Sequence, residues 1–343
     1  MFKLKLNIAL IIGMFVFNAC TDVDICSESD HIHLTELNIA YDLSEVDKQK
    51  QPDSMIILAT RVVDSWKCGY RQSIADGKGQ YLFNNPNTSG EDILRVKRGQ
   101  YRIFAVNYNE NSEVYKYSGI KENIGNPEGG LTGISIQYKN TKPNTAGTCF
   151  KDYNSSMGFA PEKSEKVYVF ASGIVTAENK TANIDIVPTD IEHEFELDFN
   201  INTENVTIDE ICGQVSGLYS GYNLTLQEPT TGVVKKMLTF ENKGNGKYTA
   251  KTKAVGIVAN KQRTAKTGSG IVQLSIKYKA GNESRIEHVG LNMYNTINRH
   301  GRDIQGKDIK LNIDEPLTIN RNGLVKSNNT NILIDSWFLY TSN

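Results

Sequence analysis

The chain has 343 residues, 39% hydrophobic and 22% charged, with 38 Lys and Arg set against 39 Asp and Glu. That apolar share supports a sizeable core and excludes wholesale disorder. The near-neutral balance excludes the basic excess of a general nucleic-acid binder, and the length fits two domains of roughly 150 residues.

The N-terminus runs Met1-Phe2-Lys3-Leu4-Lys5, then an apolar stretch from Ile8 to Phe17, then Asn18-Ala19-Cys20. Two lysines, a short apolar run and a small residue before a cysteine predict a secretory signal over 1–19. About ten apolar residues are too few for a comfortable membrane-spanning helix. Ala19-Cys20 resembles a bacterial lipoprotein lipobox, although Phe17 and Asn18 depart from its usual Leu-Ser/Ala pattern. The chemistry needs a thiol at that position, because the lipid is carried as a thioether. Cys20 is therefore the expected lipidation site, and its covalent lipid the expected link to the outer membrane. Each buried CH₂ of such a chain contributes about 0.8 kcal/mol, so several acyl chains hold firmly. A polar tether over 20–30 follows, with Asp22 and Asp24 at its start. Acidic residues there resemble a surface-export signal in lipoproteins of anaerobic gut and oral Gram-negative bacteria, which implies exposure at the cell surface.

The body of the chain reads as strands. Residues 55–63 (MIILATRVV) are apolar on both faces, which predicts a central sandwich strand, and 101–108 (YRIFAVNY) is similar. Shorter strands are predicted at 167–170, 183–187, 224–227 and 271–278. The clearest is 191–201. Ile191, His193, Phe195, Leu197, Phe199 and Ile201 fall on one face, and Glu192, Glu194, Glu196, Asp198 and Asn200 on the other. That period of two predicts a long half-buried strand with a wet acidic face. Strands at 307–313, 317–320 and 332–339 close the chain. Asp76-Gly77, Asn245-Gly246, Gly281-Asn282 and Asn322-Gly323 are turn signals between them. Many short strands with frequent turns predict an all-β protein built of sandwiches. Pro188 breaks pairing just before the long strand, so the expected division is 31–188 for an N-terminal sandwich and 189–343 for a C-terminal one. Residues 109–133 and 140–164, rich in Gly, Asn, Ser and Lys, read as long loops.

Motifs that carry chemistry are mostly missing. Gly244-Asn245-Gly246-Lys247 lacks the spacing of a phosphate loop and reads as a hairpin turn. His193-Glu194-Phe195-Glu196-Leu197 starts like a zinc-protease motif, but Leu197 stands where the second histidine must be. His31 and His33 share a strand face without an identifiable third ligand. Beyond Cys20, the cysteines are Cys26, Cys68, Cys149 and Cys212. Their spacing contains no C-x-x-C, so neither zinc nor thioredoxin chemistry is indicated. Four cysteines allow three full pairings, and free thiols are equally open. No catalytic residue, metal ligand or cofactor is expected. Trp66 and Trp337 are read as buried anchors, with stacking on a sugar as the alternative. Asp53-Ser54-Met55 resembles the O-glycosylation signal of such bacteria, with Ser54 as acceptor.

The order of motifs resembles the fimbrillin-like lipoproteins, in particular a branch akin to fimbrial anchor and accessory subunits. The motifs are Asp53-Ser54-Met55 and the apolar strand after it, Arg61 to Tyr70, and Gly99-Gln100-Tyr101-Arg102-Ile103-Phe104-Ala105-Val106-Asn107. The long strand at 191–201 and the terminal Ile332-Leu333-Ile334-Asp335-Ser336-Trp337 complete the series. The resemblance implies two transthyretin-like β-sandwich domains in tandem, fimbrial subunits as partners and assembly by strand addition. Main-chain hydrogen bonds would supply affinity, and alternate side chains register. Ile332, Ile334, Trp337 and Leu339 are then the candidate assembly strand. No Lys or Arg lies between Cys20 and His31, which favours a lipid-retaining anchor or accessory subunit over a processed stalk subunit. The alternative is a stand-alone surface adhesin that binds a host or glycan ligand.

Overall fold

The computed structural model describes residues 34–44, 46, 51–62, 67–73, 79–81, 93–125, 133–141, 158–178, 181–258, 271–293, 308–313, 315–325 and 332–334. About two thirds of these residues are in strands. The one helix described, α1 (Ile120–Gly125), has six residues.

Two sheets enclose a first core. In the smaller, β1 (Leu34–Tyr41) lies between β5 (Ile93–Lys97), antiparallel, and β10 (Ala182–Ile186), parallel. The larger has six strands in the order β11-β9-β6-β2-β3-β4: β11 (Thr189–Asp190), β9 (Tyr168–Ala177), β6 (Gly99–Val106), β2 (Ser54–Arg61), β3 (Lys67–Ser73) and β4 (Gly79–Tyr81). Leu37, Ile39, Leu94 and Val96 from the first sheet meet Met55, Ile57, Ala59, Tyr101, Ile103 and Ala105 from the second. Successive side chains alternate across a sheet, so Ile56, Leu58, Phe104 and Val106 face the other way. They belong to a second core. This explains why β2 is apolar on both faces and lies centrally, between β3 and β6.

The second core is shared with the rest of the chain. A four-stranded sheet, β15-β14-β8-β7, combines β7 (Tyr115–Ser118) and β8 (Ser135–Tyr138) with β14 (Gly221–Asn223) and β15 (Glu228–Pro229). A ten-stranded sheet holds β12 (His193–Glu204), β13 (Thr207–Tyr219), β16 (Val233–Gly244), β17 (Lys247–Ala254), β18 (Ile271–Ala280), β19 (Glu283–Asn292), β20 (Ile309–Asn312), β21 (Leu317–Asn320), β22 (Gly323–Leu324) and β23 (Ile332–Ile334). Its order is β22-β21-β12-β17-β16-β13-β18-β19-β23, with β20 beside β12. Both β20 and β21 run parallel to β12, one along each half of it. Phe195, Leu197, Phe199 and Ile201 point inward as the alternation predicts. Cys212, in β13, is disulfide-bonded.

Three local expectations change. Residues 109–133 are not simply a loop: they supply β7 and α1, and Val114, Tyr115 and Ile120 are buried. Strands of four residues are too short to display a period. Residues 224–227 form a turn rather than a strand. Asn223 Oδ1 accepts a hydrogen bond from the Leu226 amide at 3.0 Å, and Gln227 takes a φ of 57°. An Asx side chain that bonds the following backbone competes with strand pairing. Finally, the acidic face of β12 is not uniformly wet, because Glu192, just before the strand, is 5% exposed.

Candidate functional site

The described part of the predicted assembly strand, β23, is the last strand of the ten-stranded sheet among the described residues. Ile332 and Ile334 are in β23, antiparallel to β19 with Ile332 opposite Leu291 and Ile334 opposite Val289. Leu291 and Val289 are fully buried, so the seat of β23 is an apolar stretch of β19. The register is unequal on the two sides of β19. On one side it pairs with β18 along its whole length, from Asn292 opposite Ile271 to Glu283 opposite Ala280. On the other side β23 covers Val289, Gly290 and Leu291. Residues 283–288 therefore have no strand partner on that side among the described residues. Unpaired N–H and C=O groups on an edge are a template for another chain. Charged side chains on this stretch moderate that tendency: Glu283 pairs with Arg285 at 2.7 Å, and Arg285 also donates to the Arg321 carbonyl.

A buried polar cluster joins the two parts of the chain. Tyr138, at the end of β8, donates its hydroxyl to Glu192 Oε1 at 2.6 Å, and Lys236 Nζ lies 3.0 Å from the same oxygen. Glu192 and Lys236 side chains are each 1% exposed. The ammonium also donates to the Lys253 carbonyl at 2.6 Å and sits 5.0 Å from the centre of the Tyr138 ring. Tyr115 stacks on Tyr138 at 5.2 Å. Burial is the main cause that raises the pKa of Tyr138 far above the ordinary tyrosine value, with the Glu192 charge adding to it. Tyr138 thus remains a neutral donor. Next to this cluster the Ala160 amide donates to the Lys235 carbonyl at 2.8 Å, and Lys235 lies over the Phe159 ring at 6.0 Å. Burial pushes the Lys235 ammonium down to about 8.

The exposed acids of β12 are matched by lysines on its neighbours. Glu196 contacts Lys251 on β17 at 2.7 Å and Lys310 on β20, and Asp198 lies 3.4 Å from Lys310 and accepts from the Thr249 hydroxyl at 2.6 Å. Hydrogen bonds from Lys251 and Lys310 lower Glu196 to about 2. Lysines thus occupy the positions where a bound cation would sit. No group of three or more His, Cys, Asp and Glu suited to a metal occurs among the described residues.

Ser54 is the first residue of β2 and half-buried. His193 is half-buried in β12, where burial lowers its pKa, and Leu197 points into the core. Cys20, Cys26, His31, His33, Trp66, Cys149, Trp337 and Leu339 lie outside the described residues, so the tryptophan test of sugar stacking does too. The backbone of Cys68 lies in β3. Sequence reasoning missed the Tyr138–Glu192–Lys236 cluster. Its available signal was Lys235-Lys236 inside the apolar run Val233 to Leu238. No helix among the described residues is long and apolar enough to cross a membrane.

No family model and no curated relative matches the chain. Solved structures do. A candidate adhesin from Bacteroides ovatus is similar at 15% identity and a TM-score of 0.49, over 85% of this chain and 97% of that one. The fimbrial anchor protein of Porphyromonas gingivalis is similar at 11% identity and a TM-score of 0.41, over 89% and 98%. The tip fimbrial protein of that organism, truncated at its C-terminus, is similar at 12% identity and a TM-score of 0.36, over 75% and 80%.

Proposed function

We propose that this protein is a cell-surface lipoprotein that serves as a fimbrial anchor or accessory subunit and engages its neighbour by β-strand addition. What carries the reading is the edge of β19, a ten-residue strand paired in full on one side and, among the described residues, over three residues on the other. An extended segment from a second subunit can continue that ladder. Alternatively, β23 can leave its apolar seat and pair elsewhere.

Three further observations support it. The N-terminal sequence up to Cys20 has the form of a lipoprotein signal. The disulfide at Cys212 is chemistry that persists in exported proteins. The shared second core ties strands from both parts of the chain together, which suits a subunit that must transmit load from a membrane anchor to a polymer.

Deletion of residues 331–343 tests the reading in the native cell. Sheared-surface and membrane fractions are run unboiled and probed with antibody. The full chain is expected in a high-mass ladder that collapses on boiling. The deletion is expected as monomer, with its first core still folded by limited proteolysis. Unchanged incorporation rejects strand addition through this segment. In parallel, Cys20→Ala is expected to release the protein from membranes, and continued extraction by detergent alone rejects lipidation there.

A further inference from the structure

The two ends of the ten-stranded sheet come round to meet each other. β19 stands near one end of the strand order and β22 at the other. Yet Arg285 of β19 donates to the Arg321 carbonyl, in the turn between β21 and β22, at 2.5 Å. A Cβ on Gly323 would lie 2.7 Å from Glu287 Oε1, and the Tyr278 hydroxyl lies 3.4 Å from the same oxygen. The sheet thus curls almost into a barrel, and side chains rather than a strand ladder cross its seam. Among the described residues no backbone hydrogen bond joins 283–288 to 321–325. Paired strands stand about 4.8 Å apart. Backbones that touch only through an arginine or glutamate side chain stand on the order of two such spacings apart, so the seam is about one strand wide.

Directions are compatible with a strand in that gap. Followed through the successive ladders, β22 runs the same way as β19. A strand antiparallel to one is therefore antiparallel to both. β23 already lies antiparallel to β19 just above the gap, with Ile332 opposite Leu291, Leu333 opposite Gly290 and Ile334 opposite Val289.

Carried on without a bulge, this register sets Asp335 opposite His288, Trp337 opposite Ile286, Phe338 opposite Arg285 and Leu339 opposite Ser284. The chemistry of each pair fits. Ile286 is a large apolar side chain 42% exposed, and an aromatic against a β-branched residue is a favourable cross-strand pair. The Asp335 carboxylate would meet the imidazole of His288, whose Nδ1 is 2.9 Å from the Ser275 hydroxyl. An aromatic ring beside Arg285 adds a cation–π contact. On the far wall of the seam Val325, also 42% exposed, gains apolar cover.

We propose that residues 335–340 of the same chain dock in this seam, continuing β23 down β19, so that each subunit closes its own barrel before assembly. Main-chain bonds to β19 on one side and β22 on the other supply the affinity, and the alternate side chains set the register. The proposal rests on the reading of the β19 edge as the assembly edge and supplies its regulation. A neighbour's strand reaches that edge only when the chain's own segment leaves it.

The test places cysteine pairs in the full chain. Ile286→Cys/Trp337→Cys and Ser284→Cys/Leu339→Cys are in register, whereas His288→Cys/Leu339→Cys is displaced by four residues, about 13 Å. Each variant is purified as monomer in detergent and treated with bismaleimidoethane. Linked peptides are identified by mass spectrometry after digestion, which separates them from links to native cysteines. Thermal melts check that the variants fold. At least one in-register pair should give the linked peptide within a single chain, at a yield at least tenfold above the displaced pair. No link in either folded in-register variant overturns the proposal. So does a link between two chains, which marks a second copy as the occupant, or an equal yield from the displaced pair. The high-mass ladder of the unaltered chain scores the assembly reading separately. A ladder without any in-register link overturns this proposal alone, and in-register links without a ladder overturn only the assembly reading on which its regulatory part rests.

Discussion

Glu192 and Glu196 stand four residues apart, and each meets a lysine, yet their surroundings differ completely. The Glu192–Lys236 pair is 3.0 Å apart with both side chains 1% exposed, while the Glu196–Lys251 pair is 2.7 Å apart with side chains 14% and 36% exposed. Distance alone would rank them alike. Solvent separates them. In the buried pair each charge has lost its water, and its partner is the main compensation. In the surface ladder, water and salt can replace any partner that is lost. The buried pair therefore fixes how β8 meets the large sheet, whereas the surface pairs only line lysines along the exposed acidic face of β12.

The largest expected effect comes from breaking the buried pair. Lys236→Ala or Glu192→Ala leaves one uncompensated charge and should destabilise the protein by about 3–5 kcal/mol, read by urea unfolding. The double variant Glu192→Leu/Lys236→Met should be less destabilised than either alanine variant. If it is worse than both, the pair is not the compensated unit described here. Tyr138→Phe is the next step down. It removes one hydrogen bond to a buried carboxylate and should lose about 1.5–3 kcal/mol; a loss no greater than for Tyr222→Phe would contradict that role. The smallest effect belongs to the surface ladder. Glu196→Gln should change stability by no more than about 1 kcal/mol, and that difference should vanish in 1 M salt, where the screening length is about 3 Å.

The pH dependence sharpens the same contrast. The folded pKa of Glu196 is about 2, below its ordinary value of 4.5. A lowered folded value means that the stabilisation is complete above about pH 4.5 and is lost as pH falls toward 2. The gap between the unaltered chain and Glu196→Gln should close over that window. A gap that persists at pH 2 would remove the ladder as its source.

These two pairs also mark what could be read from the sequence. The inward set Phe195, Leu197, Phe199 and Ile201 was legible because a period of two states which side chains share a face. The fate of Glu192 was not, since alternation cannot say whether a strand from elsewhere covers the point where the long strand begins. Tyr138 comes from more than fifty residues upstream, and only folding brings it there. The central position of β2 followed from its apolar character on both faces. The turn at 224–227 was hidden because Leu224 and Leu226 mimic strand alternation, while the deciding interaction is one side-chain bond from Asn223. The C-terminal strand was legible as a strand, but its seat on β19 was not, because strand pairing over long separations leaves no local mark.

One pairing in the first core governs the order of events when the protein is made. β1 runs parallel to β10, and Asn38 Nδ2 donates to Asn183 Oδ1 across a separation of 145 residues. Contacts this distant must wait for loop closure and form slowly. The first strand of the small sheet cannot find this neighbour until residue 186 has emerged. A chain made N-terminus first can therefore pair β1 with β5 as soon as residue 97 is available, but the other edge of β1 stays open until residue 186 follows.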